Sequence, residues 1–314
     1  MKGTWLIAYR RRQKCRNVGY NHGMIDPLGL NRIDHRSEYG SWTLLRRAPS
    51  LWLRPFVHEI QGYEEEGGQP VLRKELPSGV VPMILVFGPG FILHDASDQS
   101  SSRPLDHSFI AGLHRGFALV GSIGHALCMQ VDFTPLGARR FLGMEMHVLT
   151  EQVVALNVLM GSEADRLEER LDEASDWPKR FEIVERLLTE HLIRPAPANP
   201  LVEAAWTQIK ACDGDISISG LARSLGCSRK HLVSLFHREI GLPPKAIARV
   251  LRFQHATEKL EQRCFRSLAD LAISCGYADQ AHFNRDFTRF SGETPSQLLA
   301  RMLPDGTGIM ADPR

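Results

Sequence analysis

Two copies of one helical pattern lie about fifty residues apart in the C-terminal third of the chain. The first copy, residues 221–241, reads LARSLGCSRKHLVSLFHREIG, and the second, residues 271–292, reads LAISCGYADQAHFNRDFTRFSG. Each begins with Leu-Ala, has a glycine near its middle (Gly226, Gly276) and ends on a glycine. A short apolar helix, a turn that carries glycine and a second helix with exposed polar residues form a helix-turn-helix unit. Two such units in tandem predict a DNA-binding module.

The first unit has the residues that its turn and its second helix require. Gly226 permits a tight turn, because glycine reaches positive φ without a steric penalty. Ser228 is placed to cap the next helix through its hydroxyl. The apolar stripe of that helix is Leu232, Leu235 and Phe236. The remaining positions are expected to face solvent or a DNA groove, and the candidate DNA-binding residues are Ser228, Arg229, Lys230, Val233 and Ser234.

The second unit repeats this arrangement. Ala278 or Asp279 is expected to begin its reading helix, and three phenylalanines at positions 283, 287 and 290 form the core face. The exposed side gives the second set of candidate DNA-binding residues, which are Asp279, Gln280, Ala281, His282 and Arg285.

A connecting helix is predicted between the two units, over residues 245–262. Eighteen helical residues span about 27 Å. Major grooves on one face of a duplex recur about every 34 Å. A helix of this length holds two reading heads near that separation, so the spacing favours contact with two adjacent grooves.

The charge is divided unevenly along the chain. Residues 221–303 hold 13 Lys+Arg against 7 Asp+Glu, whereas residues 41–220 hold 16 against 24. The near-neutral total of +2 therefore combines a basic module with an acidic body. This division suits phosphate contact through the C-terminal module alone.

The chain before the DNA-binding module is predicted to contain strands first and then helices. Short apolar or alternating runs at 80–93, 108–114, 117–123 and 125–135 predict strands of a β-barrel or sandwich, with a serine-rich loop at 95–106 and a short helix at 136–142. Amphipathic helices are predicted at 165–174 and 178–193, before the proline-rich segment RPAPANP at 194–200. The predicted domains are a basic leader without regular structure (1–43), a β-rich sensing or dimerisation domain (44–165), a helical connector and linker (166–200), the double helix-turn-helix domain (201–303) and a tail (304–314).

The segment SLADLAISCGYADQAHFNRDFTRFSGETPSQL (267–298) resembles the signature of the AraC/XylS family of bacterial transcription regulators. The resemblance covers about residues 201–303. It implies an α+β chain, with a β-rich, cupin-like N-terminal barrel or sandwich followed by an all-α domain whose two reading helices enter adjacent major grooves. By position, base-edge contacts fall on Lys230, Val233 and Ser234, and on Gln280, Ala281, His282 and Arg285. The family often has arginine where this chain has Ser234, so the first head is expected to read fewer bases.

The specific base contacts follow from side-chain chemistry. Arg285 can donate two hydrogen bonds to the O6 and N7 atoms of guanine, and Gln280 can pair with adenine. The implied partners are double-stranded DNA and RNA polymerase, together with a small-molecule effector or a second copy of the chain. The implied location is the bacterial cytoplasm, with association to the nucleoid and no membrane partner.

Catalytic motifs are absent from the sequence. There is no G-x-S-x-G, Walker loop, G-x-G-x-x-G or His-x-His, and the six cysteines show no zinc spacing. His107, His114, His125 and His147 are too separated to predict a metal site, so neither a cofactor nor enzyme activity is expected. Two alternatives stay open: a DNA-modifying enzyme that uses the module for targeting, and an interaction scaffold that does not bind DNA.

Overall fold

The computed structural model of the chain describes residues 29–37, 40–66, 70–95, 101–193, 198–263, 265–302 and residue 309. Within these residues an antiparallel β-rich half precedes a helical half, as predicted for an α+β chain. The strands in chain order are β1 (Asn31–Ser37), β2 (Gly40–Arg47), β3 (Val57–Glu66), β4 (Val71–Glu75), β5 (Val81–Val86), β6 (Phe91–His94), β7 (Ser102–Leu105), β8 (Phe109–Ala111), β9 (Ala118–Ser122), β10 (Ala126–Phe133) and β11 (Val153–Ala155).

The strands form two sheets that face each other. The larger has seven strands in the order β1-β2-β3-β10-β5-β8-β11, and the smaller has four in the order β4-β9-β6-β7. Side chains cross between them: Arg73 on β4 and Ser122 on β9 both hydrogen-bond to Glu65 on β3. Buried apolar residues of both sheets also form one cluster, which includes Leu44, Val86 and Phe91. The β-rich half is therefore a two-sheet sandwich.

Helices cover the outer face of the larger sheet and then form the C-terminal half. They are α1 (Pro135–Leu142), a 3₁₀ helix (Met146–Leu149), α2 (Leu156–Met160), α3 (Ser162–Asp172), α4 (Trp177–Leu192), α5 (Pro200–Ala211), α6 (Ile218–Ser224), α7 (Arg229–Glu239), α8 (Pro244–Glu261), α9 (Leu268–Ser274), α10 (Gln280–Ser291) and α11 (Pro295–Arg301). Trp177 of α4 lies directly over Gly62 of β3, where a Cβ would stand 2.2 Å from the indole ring. Only glycine permits this close approach of helix and sheet.

Two sequence expectations for the β-rich half were wrong. The leader was expected to lack regular structure through residue 43, but Asn31–Ser37 is a strand that pairs with Gly40–Arg47. Its exposed and half-buried residues alternate, so the strand is an edge strand with few apolar residues to signal it. Residues 1–28 lie outside the described residues. Part of the loop expected at 95–106 is also a strand, Ser102–Leu105, which pairs with Phe91–His94.

The two halves of the chain share one apolar core. Buried residues of the sandwich, such as Val81 and Phe133, belong to the same cluster as Phe236, Phe253 and Phe287 of the helical half. The helix predicted before the proline-rich segment is present as α4, and α5 begins at the last proline of that segment, whose residues 194–197 lie outside the described residues. The continuous core means that the helical half is packed against the sandwich.

Polar contacts cross the same boundary at both helix-turn-helix units. Lys74 of β4 pairs with Glu293 and donates to the carbonyl of Ser291 at 3.0 Å, just after α10. At the end of α7, Arg139 of α1 forms an ion pair with Glu239 at 2.8 Å, although the geometry of its N–H does not make a hydrogen bond. Both units are therefore attached to the β-rich half near the C-terminal ends of their second helices.

Candidate nucleic-acid interface

The first helix-turn-helix unit consists of α6 and α7. Gly226, in the turn between them, has φ 66°, which is the left-handed conformation that the sequence predicted. The Ser228 hydroxyl accepts a hydrogen bond from the backbone N–H of His231 at 3.1 Å and so caps α7. Leu232 and Phe236 are fully buried beneath the helix. These contacts fix the direction in which α7 leaves the turn.

The first candidate reading face lies on the N-terminal half of α7. Arg229, Lys230 and Ser234 are exposed there, and Val233 is half-buried. Within the described part of the chain, Arg229 and Lys230 form no ion pair and so carry uncompensated positive charge. Ser228 is exposed as well, but its hydroxyl is engaged in the cap.

The second unit consists of α9 and α10 and is built in the same way. Gly276 has φ 74°, and Asp279 caps α10 by accepting from the N–H of His282 at 2.6 Å. Tyr277 follows the turn and packs its ring edge-on against His282 and Phe283, at 5.3 and 5.2 Å between centroids. Burial raises the pKa of Tyr277 above its ordinary value. The tyrosine is therefore a neutral packing residue at the base of the second reading helix.

The second candidate reading face is the outer side of α10. Gln280, Ala281 and Arg285 are exposed, whereas His282 is half-buried against Tyr277. Arg289, one helical turn beyond Arg285, is exposed on the same side. Arg289 is not among the candidates predicted from the sequence, although its spacing of four residues from Arg285 places the two on one face.

The connecting helix holds the second reading helix through a half-buried ion pair that the sequence pattern did not predict. Helix α8 spans Pro244–Glu261, which are the 18 residues expected and about 27 Å of helix. Its Arg249 contacts Asp286 of α10 through two bonds, Nε to Oδ2 at 3.1 Å and Nη2 to Oδ1 at 2.5 Å. Asp286 directly follows Arg285, so this two-bond pair fixes the segment of α10 that presents the exposed arginine.

The exposed arginines and Lys230 give the two candidate reading faces a basic character. In the described ranges no three His, Cys, Asp or Glu side chains come together in a way that holds a metal ion. Three of the scattered histidines have different surroundings: His107 lies beside Glu168, His114 contacts the carbonyl of Gly112, and His147 stacks on His237. None of the described helices combines the length and the apolar character of a membrane span.

The helical half matches a known domain family over both units. Residues 221–301 match a family model described as a helix-turn-helix domain, and this range begins in α6 and ends in α11. Residues 221–301 therefore form a helix-turn-helix domain of the AraC type. Residues 45–155 match a second family model, described as a domain of unknown function (DUF6597), which covers most of the sandwich.

Curated relatives are similar to this chain over part of their length. GlxA of Rhizobium meliloti, an HTH-type transcriptional regulator, is 29% identical over 40% of this chain and 36% of its own. The lactose operon transcription activator of Staphylococcus xylosus is 30% identical over 24% of this chain and 26% of its own. RhaR of Escherichia coli K12, an HTH-type transcriptional activator, is 26% identical over 35% of this chain and 39% of its own. The chain thus spans between about a quarter and two fifths of the length of these relatives.

Solved structures with detectable similarity include one that covers most of the chain. A structure of ToxT from Vibrio cholerae is 12% identical, with a TM-score of 0.44 over 77% of this chain and 97% of the other. A transcriptional regulator of Chromobacterium violaceum, described as an AraC-type DNA-binding domain-containing protein, is 25% identical, with a TM-score of 0.30 over 32% of this chain and 91% of the other.

Proposed function

We propose that this protein is a sequence-specific regulator of transcription that reads two adjacent major grooves of double-stranded DNA. The observation that carries the proposal is the pair of capped reading helices, α7 and α10, joined by the 18-residue α8. The length of α8, about 27 Å, is close to the separation of about 34 Å between successive grooves. Lys230 presents an exposed charge on the first head and Arg285 on the second.

Within this function each head has a different task. Arg285 donates to the O6 and N7 atoms of a guanine, and Gln280 pairs with an adenine. Lys230, Val233 and Ser234 contact base edges from the first head, where the short Ser234 side chain limits the number of bases read. Ser228 and Asp279 act mainly as N-caps of the two reading helices. Each cap occupies one backbone N–H, that of His231 or of His282, so this group does not point at the DNA.

The sandwich regulates the heads in this proposal. An effector or a second copy of the chain acts on the β-rich half and alters promoter occupancy and recruitment of RNA polymerase. The supporting observation is that both units are anchored to that half, α7 through Glu239 and α10 through Glu293. A displacement of β4 or α1 is therefore transmitted to the end of a reading helix.

Selection of genomic DNA fragments with the purified full chain tests the reading function. We expect enrichment of a site that spans two major-groove steps. Arg285→Ala is expected to relax specificity at one position and to cost about 1–3 kcal/mol of binding free energy, as loss of a two-bond guanine contact does. Arg170→Ala, which removes an exposed arginine on α3 of the other half, is the matched control and is expected to leave selection unchanged.

The same experiment distinguishes the alternatives. Enrichment that is weak and equally insensitive to Arg285→Ala and Arg170→Ala would mean that the helices contact only phosphates, and sequence reading would be wrong. Failure to retard any DNA at low salt would favour an interaction scaffold, because even non-specific binding strengthens as salt falls.

A further inference from the structure

The two helix-turn-helix units are joined by α8, and they also touch each other directly. Loop 212–216 leads from α5 into α6 of the first unit, and turn 275–277 follows α9 of the second unit. A Cβ at Gly276 in this turn would stand 2.4 Å from the carboxyl carbon of Asp215 in the loop. The Asp215 side chain therefore packs against the backbone of the second turn, where glycine leaves room for it.

Loop 212–216 has a backbone that is held in one shape. Asp213 has φ 48° and Gly214 has φ 80°, so two consecutive residues are left-handed and the first of them is not glycine. Residues other than glycine rarely adopt this conformation, and it persists where the surrounding structure enforces it. The N–H groups of residues 213–215 all donate to carbonyls within residues 209–212, which closes the loop. Asp215 is therefore presented to the second turn from a defined position.

Helix α8 lies directly against this loop. A Cβ at Gly214 would stand 1.9 Å from the backbone oxygen of Ala248, so the backbone of the loop and that of the helix are in contact. His255, about two helical turns beyond Ala248, lies with its Nδ1 atom 3.5 Å from the Asp213 carboxylate. Loop 212–216 is thus packed on α8 and on turn 275–277 at the same time.

One side chain of α8 contacts both units. The Nη2 atom of Arg252 donates to the carbonyl of Gly214 at 3.1 Å and lies 3.5 Å from the Asp215 carboxylate. Its guanidinium carbon is 5.5 Å from the centre of the Tyr277 ring, which belongs to the second turn and is buried. Arg252 therefore joins the loop before the first unit to the turn inside the second.

The orientation of these contacts matters more than the ion pair. The Asp215 side chain is 62% exposed, and ion pairs of exposed groups contribute little to stability. The hydrogen bond from the planar guanidinium to the Gly214 carbonyl and its contact with the Tyr277 ring both depend on direction. Apolar packing around α8 is non-directional by comparison. Arg252 is therefore placed to restrict the angle between the two units.

We propose that Arg252 and loop 212–216 are positioning elements, which fix the angle between the two reading heads and thereby the spacing of the two base sequences that they read. We call Arg252, loop 212–216 and turn 275–277 the brace. Turn 275–277 leads into α10, so a change in the brace alters how α10 presents Arg285. This role rests on the proposed function, whereas the contacts themselves form without DNA.

The geometry of DNA gives the brace a measurable effect. One base pair advances the duplex by about 3.4 Å and turns it by roughly 35°. Two heads at a fixed angle therefore match one spacing, and an inserted or deleted base pair moves the second half of the site away from its head. Heads with a variable angle follow this displacement and tolerate it.

Retardation of DNA by the full chain tests the proposal. The probes are the site enriched by the wild type in the selection above and two versions of it, with one base pair inserted or deleted between the groove steps. We expect the wild type to bind the altered sites at least about tenfold more weakly, which is the cost of about one mismatched base pair. Arg252→Met is expected to reduce this difference to less than about threefold. Arg285→Ala is expected to weaken binding to all three sites and to keep the wild-type difference, because it removes a base contact and leaves the brace intact.

A second variant and two controls accompany this test. Asp215→Ala removes a largely exposed side chain, so it leaves the apolar core unchanged if Arg252→Met fails to fold. We expect its dependence on spacing to fall between those of the wild type and Arg252→Met. Arg170→Met and Asp172→Ala, at exposed positions of α3, are the matched controls and are expected to bind the three sites like the wild type.

Hydrogen exchange of the full chain without DNA gives a second readout. The N–H groups of Gly276 and Tyr277 are hydrogen-bonded, as are those of residues 213–215, so both segments are protected from exchange. We expect Arg252→Met and Asp215→Ala to accelerate exchange in both segments together. Exchange in α4, which lies in the β-rich half, is expected to stay at the wild-type rate.

The outcomes separate the brace from the reading function. The brace is wrong if the wild type discriminates against the altered spacings and both variants do so equally, or if exchange in the two segments is unchanged. A wild type that enriches no site, or binds all three sites equally, rejects the reading of two grooves and the role of the brace with it. Loss of DNA binding in Arg252→Met with unchanged exchange would assign Arg252 to direct DNA contact and overturn its positioning role.

Discussion

Single residues at the starts of the reading helices have a structural task that can be separated from DNA contact. Ser228 caps α7, and Asp279 caps α10. Serine and aspartate are comparable as N-cap residues, but only aspartate brings a negative charge towards a phosphate backbone. Position 228 therefore allows the cap and the electrostatic environment to be varied independently.

We expect Ser228→Ala to lower the free energy of unfolding by about 0.5–2 kcal/mol, because the His231 N–H loses its acceptor. Ser228→Asp is expected to retain wild-type stability while its affinity for DNA falls, since the new carboxylate repels phosphates. Thermal denaturation and DNA retardation measure the two effects. Equal DNA affinity of Ser228→Asp and the wild type would show that this end of α7 is distant from the duplex.

Sequence reasoning was most successful for residues whose role is local. The turn glycines, the Ser228 cap and the exposure of Arg285 depend on a few neighbouring residues, and all three follow from spacing. The Arg249–Asp286 pair joins residues that are 37 positions apart, so no local period announces it. The contact of each candidate with DNA stays a prediction.

At the scale of elements, the two turns look alike in sequence and differ in their surroundings. Gly226 and Gly276 both have φ near 70°, but a Cβ at Gly226 would meet nothing within 4 Å. A Cβ at Gly276 would stand 2.4 Å from the carboxyl carbon of Asp215. The repeated pattern predicts the turn conformation in each copy but does not predict the neighbour.

This difference predicts unequal effects of the same substitution. Gly226→Ala is expected to cost about 1–2 kcal/mol of stability, the strain of an alanine in the left-handed region. Gly276→Ala is expected to cost more, because Asp215 must also move. Denaturant unfolding of the two variants measures the difference, and equal losses would contradict the close packing of Asp215 against the second turn.

Sequence periodicity predicts the central strands but not the edge strand. Runs at 80–93 and 125–135 were predicted as strands and contain Val81–Val86, Phe91–His94 and Ala126–Phe133, because buried central strands are rich in apolar residues. The edge strand Asn31–Ser37 has the sequence NRIDHRS, in which one apolar side chain gives no detectable alternation. Pairing with Gly40–Arg47, a non-local property, makes it a strand.

The buried polar residues of β3 illustrate the same limit. Glu59, Gln61 and Glu65 alternate with other residues along β3, so sequence alone assigns them equally well to a solvated face. Only the second sheet, which covers that face, makes them buried.

At the scale of the whole molecule, the shared core and the buried ion pair of Lys74 make the two halves interdependent. The Lys74 ammonium contacts Glu293 and the Ser291 carbonyl, and it also lies 4.6 Å from the centre of the Phe117 ring. Removal of one partner from a buried pair is costly, because the other charge stays behind in the interior.

We expect Lys74→Met to lower the free energy of unfolding by less than the about 3–5 kcal/mol typical of a broken buried pair, because Arg301, 3.5 Å from Glu293, still compensates part of its charge. Lys245→Met, at an exposed lysine near the start of α8, is the control and is expected to change stability little. Differential scanning calorimetry measures both variants. An unchanged melting temperature for Lys74→Met would show that this contact does not hold the halves together.

The attachment of each reading helix at one end has a consequence for how such a protein diversifies. Contacts with the β-rich half gather at the C-terminal ends of α7 and α10, through Glu239 and Glu293, while the candidate base contacts lie on exposed surface towards the N-terminal ends. Mutations at the C-terminal ends of the two helices alter the attachment to the β-rich half. Mutations on the exposed surface towards the N-terminal ends alter the preferred DNA sequence. A duplicated gene could therefore acquire new operators by drift at a few exposed positions while it inherits the regulatory connection intact.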